Sequence, residues 1–359
     1  MIYIMVAFSI IAGIDKIFNN RLGLGKKFDE GIKGIGELAL TIIGIYCLSP
    51  IISSVLTPIL EPFANLIGTN PSVFISSILA PDLGGYSSSI GITSSKNIGT
   101  FNGLILSSML GTTISFTLPI AMGFISKDDF DYFVKGVLSG ITTIPLGMVV
   151  GGLMMGIELR DIFYNLYPVN IFVGLIILGL CKAKHKMVKI FKVIGSFVIN
   201  LSTLGFVLSI FNYFFSCDII PRMLSIEEGA IIILKIGIIL SGAYPIFYLI
   251  SNLLNKRLSK IVDKIGLDEY SILGIFSSLA NCIPMLGIYD KMNEKGKILN
   301  SAFAVSGSFV FGGQLAYVSS VSPSTVGPFV VSKLVAGFSA VLMAIVLMKI
   351  ENKKRRQRN

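Results

Sequence analysis

Ala80-Pro81-Asp82-Leu83-Gly84-Gly85 and Ala280-Asn281-Cys282-Ile283-Pro284-Met285 each fall in the middle of an apolar run, at 71–92 and 269–289. Proline removes a backbone donor and glycine weakens a helix, so neither run reads as one unbroken helix. Nine further apolar segments surround them: 2–18, 34–57, 100–125, 130–157, 161–181, 188–215, 227–252, 297–319 and 328–348. Each approaches the ~20 residues that a spanning helix needs. Interrupted backbone persists at membrane depth only where protein or enclosed water satisfies its polar groups. The expected fold is therefore an all-α polytopic membrane protein with about nine spanning helices and two broken segments, in a single transmembrane domain over residues 1–359.

Composition agrees. Of 359 residues, 14% are charged and 53% hydrophobic, and the mean hydropathy is +0.80. A soluble domain carries about a quarter charged residues. The net charge of +10 sits in short loops and in the tail Lys349–Arg358. That is the pattern of positive cytoplasmic loops, and no nucleic-acid-binding signature accompanies it. Cys47, Cys181, Cys217 and Cys282 are scattered, and the single histidine, His185, lies among lysines in a loop. Zinc sites need clustered ligands and nucleophilic catalysis needs a positioned base, so neither a metal, a cofactor nor an enzyme is expected. The cysteines read as packing residues. The run Met1–Ile14 lacks a basic n-region and a small-residue cleavage site, so it reads as a retained first span.

The basic residues also choose a threading. If 71–92 and 269–289 are re-entrant hairpins and the N-terminus is outside, only Lys96, Arg160 and Arg222 fall in outer loops, while Lys235 and Lys333 lie within spans. Every other Lys and Arg is then cytoplasmic, whereas letting both segments cross scatters the basic loops over both sides. Two blocks follow, about 34–157 and about 227–348, each a helix, a broken segment and two helices. An odd number of crossings separates them, so the second is inverted relative to the first, an architecture of transporters. Ile67/Ile265, Gly68/Gly266, Asn102/Asn300 and Ser108/Ser306 recur at one constant offset.

Asp82 is the most informative side chain. A charge in the middle of a span costs about 2.5–3.5 kcal/mol, so intramembrane carboxylates usually mark a substrate or ion path. The competing reading is a structural carboxylate that caps the broken helix. Gly84, Gly85 and Tyr86 follow Asp82, and Asn281 stands at the matching break. Half-helix ends offer free amides and carbonyls to a polar ligand. Asn281, Asn300 and Gln314 can hydrogen-bond a hydroxyl, and Tyr86 and Tyr244 can face an ammonium group. The candidate substrate-binding set is Asp82, Gly84, Gly85, Tyr86, Asn281, Asn300 and Gln314. Glu37 and Lys235 are weaker candidates, Lys235 being close enough to its helix end to snorkel. Lys127-Asp128-Asp129 reads as solvated loop charge.

Several strings resemble the ethanolamine utilisation permeases, the EutH family, along nearly the whole chain. They include Phe28-Asp29-Glu30-Gly31, Asn70-Pro71-Ser72 with Asp82-Leu83-Gly84-Gly85, and Gly103-Leu104-Ile105-Leu106 continuing to Pro119. Others are Thr143-Ile144-Pro145, Gly242-Ala243-Tyr244-Pro245, Ile283-Pro284-Met285, and Gly296-Lys297 leading to Ala302-Phe303-Ala304-Val305-Ser306. The resemblance implies a multi-pass permease of the bacterial cytoplasmic membrane that takes up ethanolamine. It also implies service to an ethanolamine-degrading pathway housed in a microcompartment, with an ammonia-lyase downstream. One departure stands out: Gly312-Gly313-Gln314-Leu315 occupies the place of Gly-Asp-His-Leu in members of that family. The residues alone leave open a cation-coupled carrier for another small amine or amino acid, a membrane sensor or scaffold, and a homo-oligomer. Segment 297–319 is expected to pack against 269–289, bringing Gly313 and Gln314 towards Asn281 and Asp82.

Overall fold

The computed structural model describes residues 2–215 and 220–358; Cys217 and the side chain of Glu37 lie outside them. The described residues are helical, with no β-strand. In chain order the elements are α1 Ile2–Ile17, α2 Leu24–Ile67, α3 Ser72–Ser76, a 3₁₀ turn Pro81–Leu83, α4 Gly85–Ile92 and α5 Lys96–Thr100. The last of these continues without a break through π-helical turns (Phe101–Gly111 and Thr113–Thr117) into α6 Leu118–Phe124. Then come α7 Phe130–Ile141, α8 Ile144–Met154, α9 Leu159–Phe215, α10 Ile226–Ile265, α11 Glu269–Ala280, α12 Cys282–Gly287, α13 Glu294–Gly307, α14 Gly313–Val321 and α15 Val326–Arg358.

Among the described residues, seven helices are long and apolar enough to cross a membrane: Leu38–Ile67, Lys96–Phe124, Phe130–Met154, Leu159–Met187, Lys189–Phe215, Ile226–Ile250 and Pro323–Glu351. The expected nine differ from these at two places. α1 has 16 residues, about 24 Å at the helical rise, short of the ~30 Å hydrocarbon core. The other is 297–319, which is not one helix: α13 ends at Gly307 and α14 starts at Gly313. No proline marks that break, and its glycines read equally well as close-packing residues, so the apolar pattern ran through it. Elsewhere helices outrun their apolar runs. α2 extends 34–57 to 44 residues, and α10 continues through the basic stretch 255–264 that reads as a loop. α9 joins 161–181 and 188–215 across a kink at Ala183.

Both sequence-predicted interruptions are present. In the first, α3 gives way to an extended Ala80 and the 3₁₀ turn, and Gly84 takes a left-handed conformation (φ 91°) before α4. That conformation strains any residue with a Cβ. In the second, Asn281 is extended (φ −158°, ψ 135°) between α11 and α12, and its side-chain oxygen accepts the Ile283 N–H at 2.9 Å.

The freed backbone groups find protein partners. The Leu79 carbonyl accepts from the Ser107 hydroxyl, and the Ala80 N–H donates to Ser115 Oγ at 3.1 Å. At the second break the unwound stretch between α13 and α14 runs beside the end of α11. Phe309 N–H donates to the Ser278 carbonyl at 2.9 Å and Phe311 N–H to the Leu279 carbonyl at 2.8 Å. A helix end leaves its last four carbonyls without intrahelical partners, and here a second interruption supplies donors to two of them.

Side-chain ties fix which loops lie together. Asn70, before α3, donates to Thr93 Oγ1 beyond α4 at 2.7 Å. Asp268, the N-cap of α11, accepts the Asn293 N–H beyond α12 at 2.5 Å. Burial pushes the Asp268 carboxyl up, but the amides of Asn293 and Ser271 and the Ser271 hydroxyl outweigh it and hold the group below the usual carboxylate range. Thr69 Oγ1 donates to the Tyr164 carbonyl at 2.8 Å, joining the first segment to the start of α9. Lys297, at the start of α13 just beyond the second segment, pairs with Asp129 at 2.5 Å, joining that end to the start of α7. Asp129 is therefore a buried ion-pair partner rather than solvated loop charge. Of the described cysteines, Cys47 and Cys282 are buried as expected, while Cys181 is exposed.

The approach of the two unwound stretches leaves no room at Gly312, where a Cβ would lie 1.8 Å from the Ala280 carbonyl oxygen. Gly312→Ala is expected to lower stability by about 1–3 kcal/mol, as overpacking does. Gly123→Ala, with nothing within 4 Å of its Cβ, is expected to be neutral, and thermal unfolding in detergent checks the pair.

Candidate functional site

The two interruptions and the α13–α14 break surround a cavity of about 270 Å³. The first break contributes Ala80, Asp82 and Leu83, the second Ala280, Asn281 and Ile283, and the third Phe309, Gly313 and Gln314. Thr112, Phe116 and Ile120 line it from the helix Lys96–Phe124. α2 adds Gly34, Leu38 and Thr41, and α10 adds Leu240 and Tyr244. Phe116 and Phe309 meet edge to face, their centroids 5.5 Å apart. Among the described residues the wall is mostly apolar, with one carboxylate and a few neutral hydrogen-bonding groups.

Asp82, Asn281 and Gln314 are brought together, and Gly313 comes with them, as expected from packing between 297–319 and 269–289. Asp82 is deep in the protein yet retains some accessible surface, because it faces the cavity. Tyr244 is a lining residue too.

The other four candidates do not line this cavity. Gly84 sets the backbone turn after Asp82, and Gly85 packs against Ser107 and the carbonyls of Leu79 and Ala80. Tyr86 meets Tyr317 edge to face at 6.4 Å and borders a separate cavity near Lys96 and Thr325. Asn300 is fully buried and ties α13 to α11, donating to the Ser271 carbonyl at 2.8 Å.

Sequence reasoning missed Lys333. It is 1% exposed, and Nζ donates to the Ser108 carbonyl at 2.5 Å and to Gln314 Oε1 at 3.0 Å. An ammonium group only donates, so it fixes which end of the Gln314 amide faces it. Gln314 Nε2 then donates to Thr112 Oγ1 at 2.6 Å, and Thr112 donates to the Ser107 carbonyl at 3.0 Å. Asp82 and Lys333 attract each other through the low-dielectric interior, although no ion pair joins them. A usable signal existed: Lys333 lies about two turns inside an otherwise apolar span, the same anomaly that singled out Asp82.

The described residues hold no group of three or more His, Cys, Asp or Glu side chains that can take a metal ion. The geometry is that of a multi-pass helical membrane protein with a carboxylate-bearing cavity between discontinuous helices. The chain belongs to the family described as "Ethanolamine utilisation protein, EutH", whose profile matches residues 1–347. It is 39% identical to the "Probable ethanolamine permease EutH" of Listeria monocytogenes, over 99% of this chain and 96% of the relative. An Escherichia coli protein of the same description is 32% identical over 98% and 96% of the two chains. The "Uncharacterized protein YxeR" of Bacillus subtilis is 34% identical over 100% and 97%. No solved structure matches the chain.

Proposed function

We propose that this protein is a permease of the cytoplasmic membrane that takes up ethanolamine as its ammonium cation through the cavity beside Asp82. The observation that carries the reading is that, among the described residues, one carboxylate faces an otherwise neutral and mostly apolar cavity of about 270 Å³. Sites for drug-sized ligands run from roughly 300 to 1,000 Å³, so this volume suits a short molecule with some water. Asp82 balances the ammonium charge, while the amides of Asn281 and Gln314 hydrogen-bond the hydroxyl. Gly84 and Gly85 hold the turn that presents Asp82, and Tyr86 and Asn300 act from outside the cavity. The relatives described as probable ethanolamine permeases support the same substrate. An amino acid would add a carboxylate, and Lys333 does not line the cavity to receive it, which favours the amine. The permease-type relatives likewise favour a transporter over an enzyme.

The transport architecture belongs to the same proposal. Residues 71–92 and 269–289 are re-entrant segments entering from opposite sides, within one domain built of two inverted blocks. The ties Asn70–Thr93 and Asp268–Asn293 support it, since each segment begins and ends at one place. The ties to Tyr164 and Asp129 lie beyond opposite ends of the span Phe130–Met154, so the two segments start from opposite faces. Gly68 and Gly266, a matched pair in the sequence, are both left-handed (φ 70° and 64°) just before the two segments.

Purified protein in liposomes is expected to accumulate labelled ethanolamine. Asp82→Asn, which keeps the shape, is expected to lower uptake at least about thirtyfold, the equivalent of roughly 2 kcal/mol for removing one partner of a buried charge pair. Wild-type uptake by a well-folded Asp82→Asn protein refutes the role. Cysteines placed in 58–70 and 94–99 are expected to label from the outer face, and those in 290–297 from the inner face. Labelling of 58–70 and 94–99 from different faces refutes the first hairpin.

A further inference from the structure

We infer that Lys333 is a built-in counter-cation of Asp82 whose place a bound ammonium substrate takes, so that amine binding releases the proton of Lys333. The inference rests on the uptake reading above and goes past it by naming the ion exchanged. Lys333 is fully enclosed and directed at Gln314, which lines the cavity that Asp82 also lines. With the cavity empty of amine, the carboxylate and the ammonium group make a neutral set. A second cation beside Asp82 leaves an unbalanced positive charge in a low-dielectric volume, which is strongly disfavoured.

Neutrality returns if Lys333 leaves or loses its proton. Departure is blocked, because its Nζ is held by Ser108 and Gln314 and lies over the Phe329 ring at 5.4 Å. Its neighbour Ser332 packs where Gly147 and Gly151 of α8 come close. Deprotonation costs the packing nothing. A neutral amine keeps two N–H donors, and Lys333 has two protein oxygen acceptors here, the Ser108 carbonyl and Gln314 Oε1. A buried lysine changes its protonation readily, which an arginine does not.

The step balances without redox chemistry. The amine enters as R–NH₃⁺ and binds Asp82. One N–H bond of Lys333 breaks, its electron pair stays on Nζ, and the proton is given up to the bulk solution. Among the described residues the ionisable groups acting on Lys333 are Asp82 from the turn Pro81–Leu83 and Cys282 from α12; Asp82, Tyr86 and Tyr46 also act on Tyr317 of α14. Among the described residues, α7, α8 and α13, which also pack on α15, bring no ionisable group to bear on Lys333.

The experiment titrates the full-length protein in weakly buffered detergent solution near neutral pH with ethanolamine, reading binding heat and released protons together. Wild-type protein is expected to release about one proton per amine bound. Lys333→Arg, whose charge persists, should release none and bind at least about tenfold more weakly, and Lys333→Met, which removes the competing cation, should bind at least as tightly. Should Lys333→Met fail to fold, the wild-type proton count and Lys333→Arg still decide. Binding without proton release, together with wild-type affinity in a folded Lys333→Arg protein, overturns the inference and leaves the uptake reading standing. Absence of any ethanolamine binding by wild-type protein overturns both.

Discussion

Polar backbone exposed by a broken helix at membrane depth must be satisfied by the protein itself, and the architecture around the cavity follows from that requirement. An unpartnered amide or carbonyl in hydrocarbon costs several kcal/mol, which open lipid cannot offset. The breaks here satisfy each other or their neighbours. Serines on the helix Lys96–Phe124 serve Leu79 and Ala80, and the amides of Phe309 and Phe311 serve the end of α11. The third interruption, between α13 and α14, thus completes the second. It also turns Gly313 and Gln314 into the cavity, which an unbroken helix through 297–319 would not require.

Charge is governed by the same scarcity of water. Asp82 at one break and Lys333 in α15 lie within electrostatic reach, and each offsets only part of the other's loss of hydration. Their separation matters as much as their attraction. A direct ion pair would leave the carboxylate occupied, whereas here Lys333 is held by Gln314 and Ser108 and Asp82 faces open volume. Gln314 is the joint between the two, with one end of its amide on Lys333 and the other on Thr112. An Asp-His pair at Gly313-Gln314, as the family resemblance implies for other members, would make the same joint ionisable. A neutral amide at this position leaves Asp82 and Lys333 as the ionisable pair that it separates, among the described residues.

Much of this was legible in the residues. Proline, glycine and asparagine inside apolar runs located both primary breaks, because those residues change the backbone locally, and an isolated Asp82 announced a polar centre. Packing of 297–319 on 269–289 followed from chain proximity. The break at Ser308–Gly312 was not legible, since Phe309 adopts a left-handed conformation (φ 63°) for reasons of tertiary pairing with α11 rather than local preference. Tyr86 and Asn300 were drawn into the candidate site by residue type alone. Which wall a side chain faces depends on helix rotation, and the π-helical turns of Phe101–Gly111 alter that rotation in a way no apolar period reveals. Lys333 was noted only as a basic residue within a span, and nothing in its neighbours along the chain marked it as part of a site. Its burial against Ser108 comes from a distant segment.

The central claim is that the space bounded by the three breaks is where the amine sits. An experimental structure of the protein saturated with ethanolamine tests it most directly. The account predicts the ligand nitrogen within hydrogen-bonding distance of the Asp82 carboxylate and its hydroxyl against Asn281 or Gln314. Ethanolamine bound elsewhere, for instance between Tyr86 and Thr325 with the central cavity empty, would contradict it.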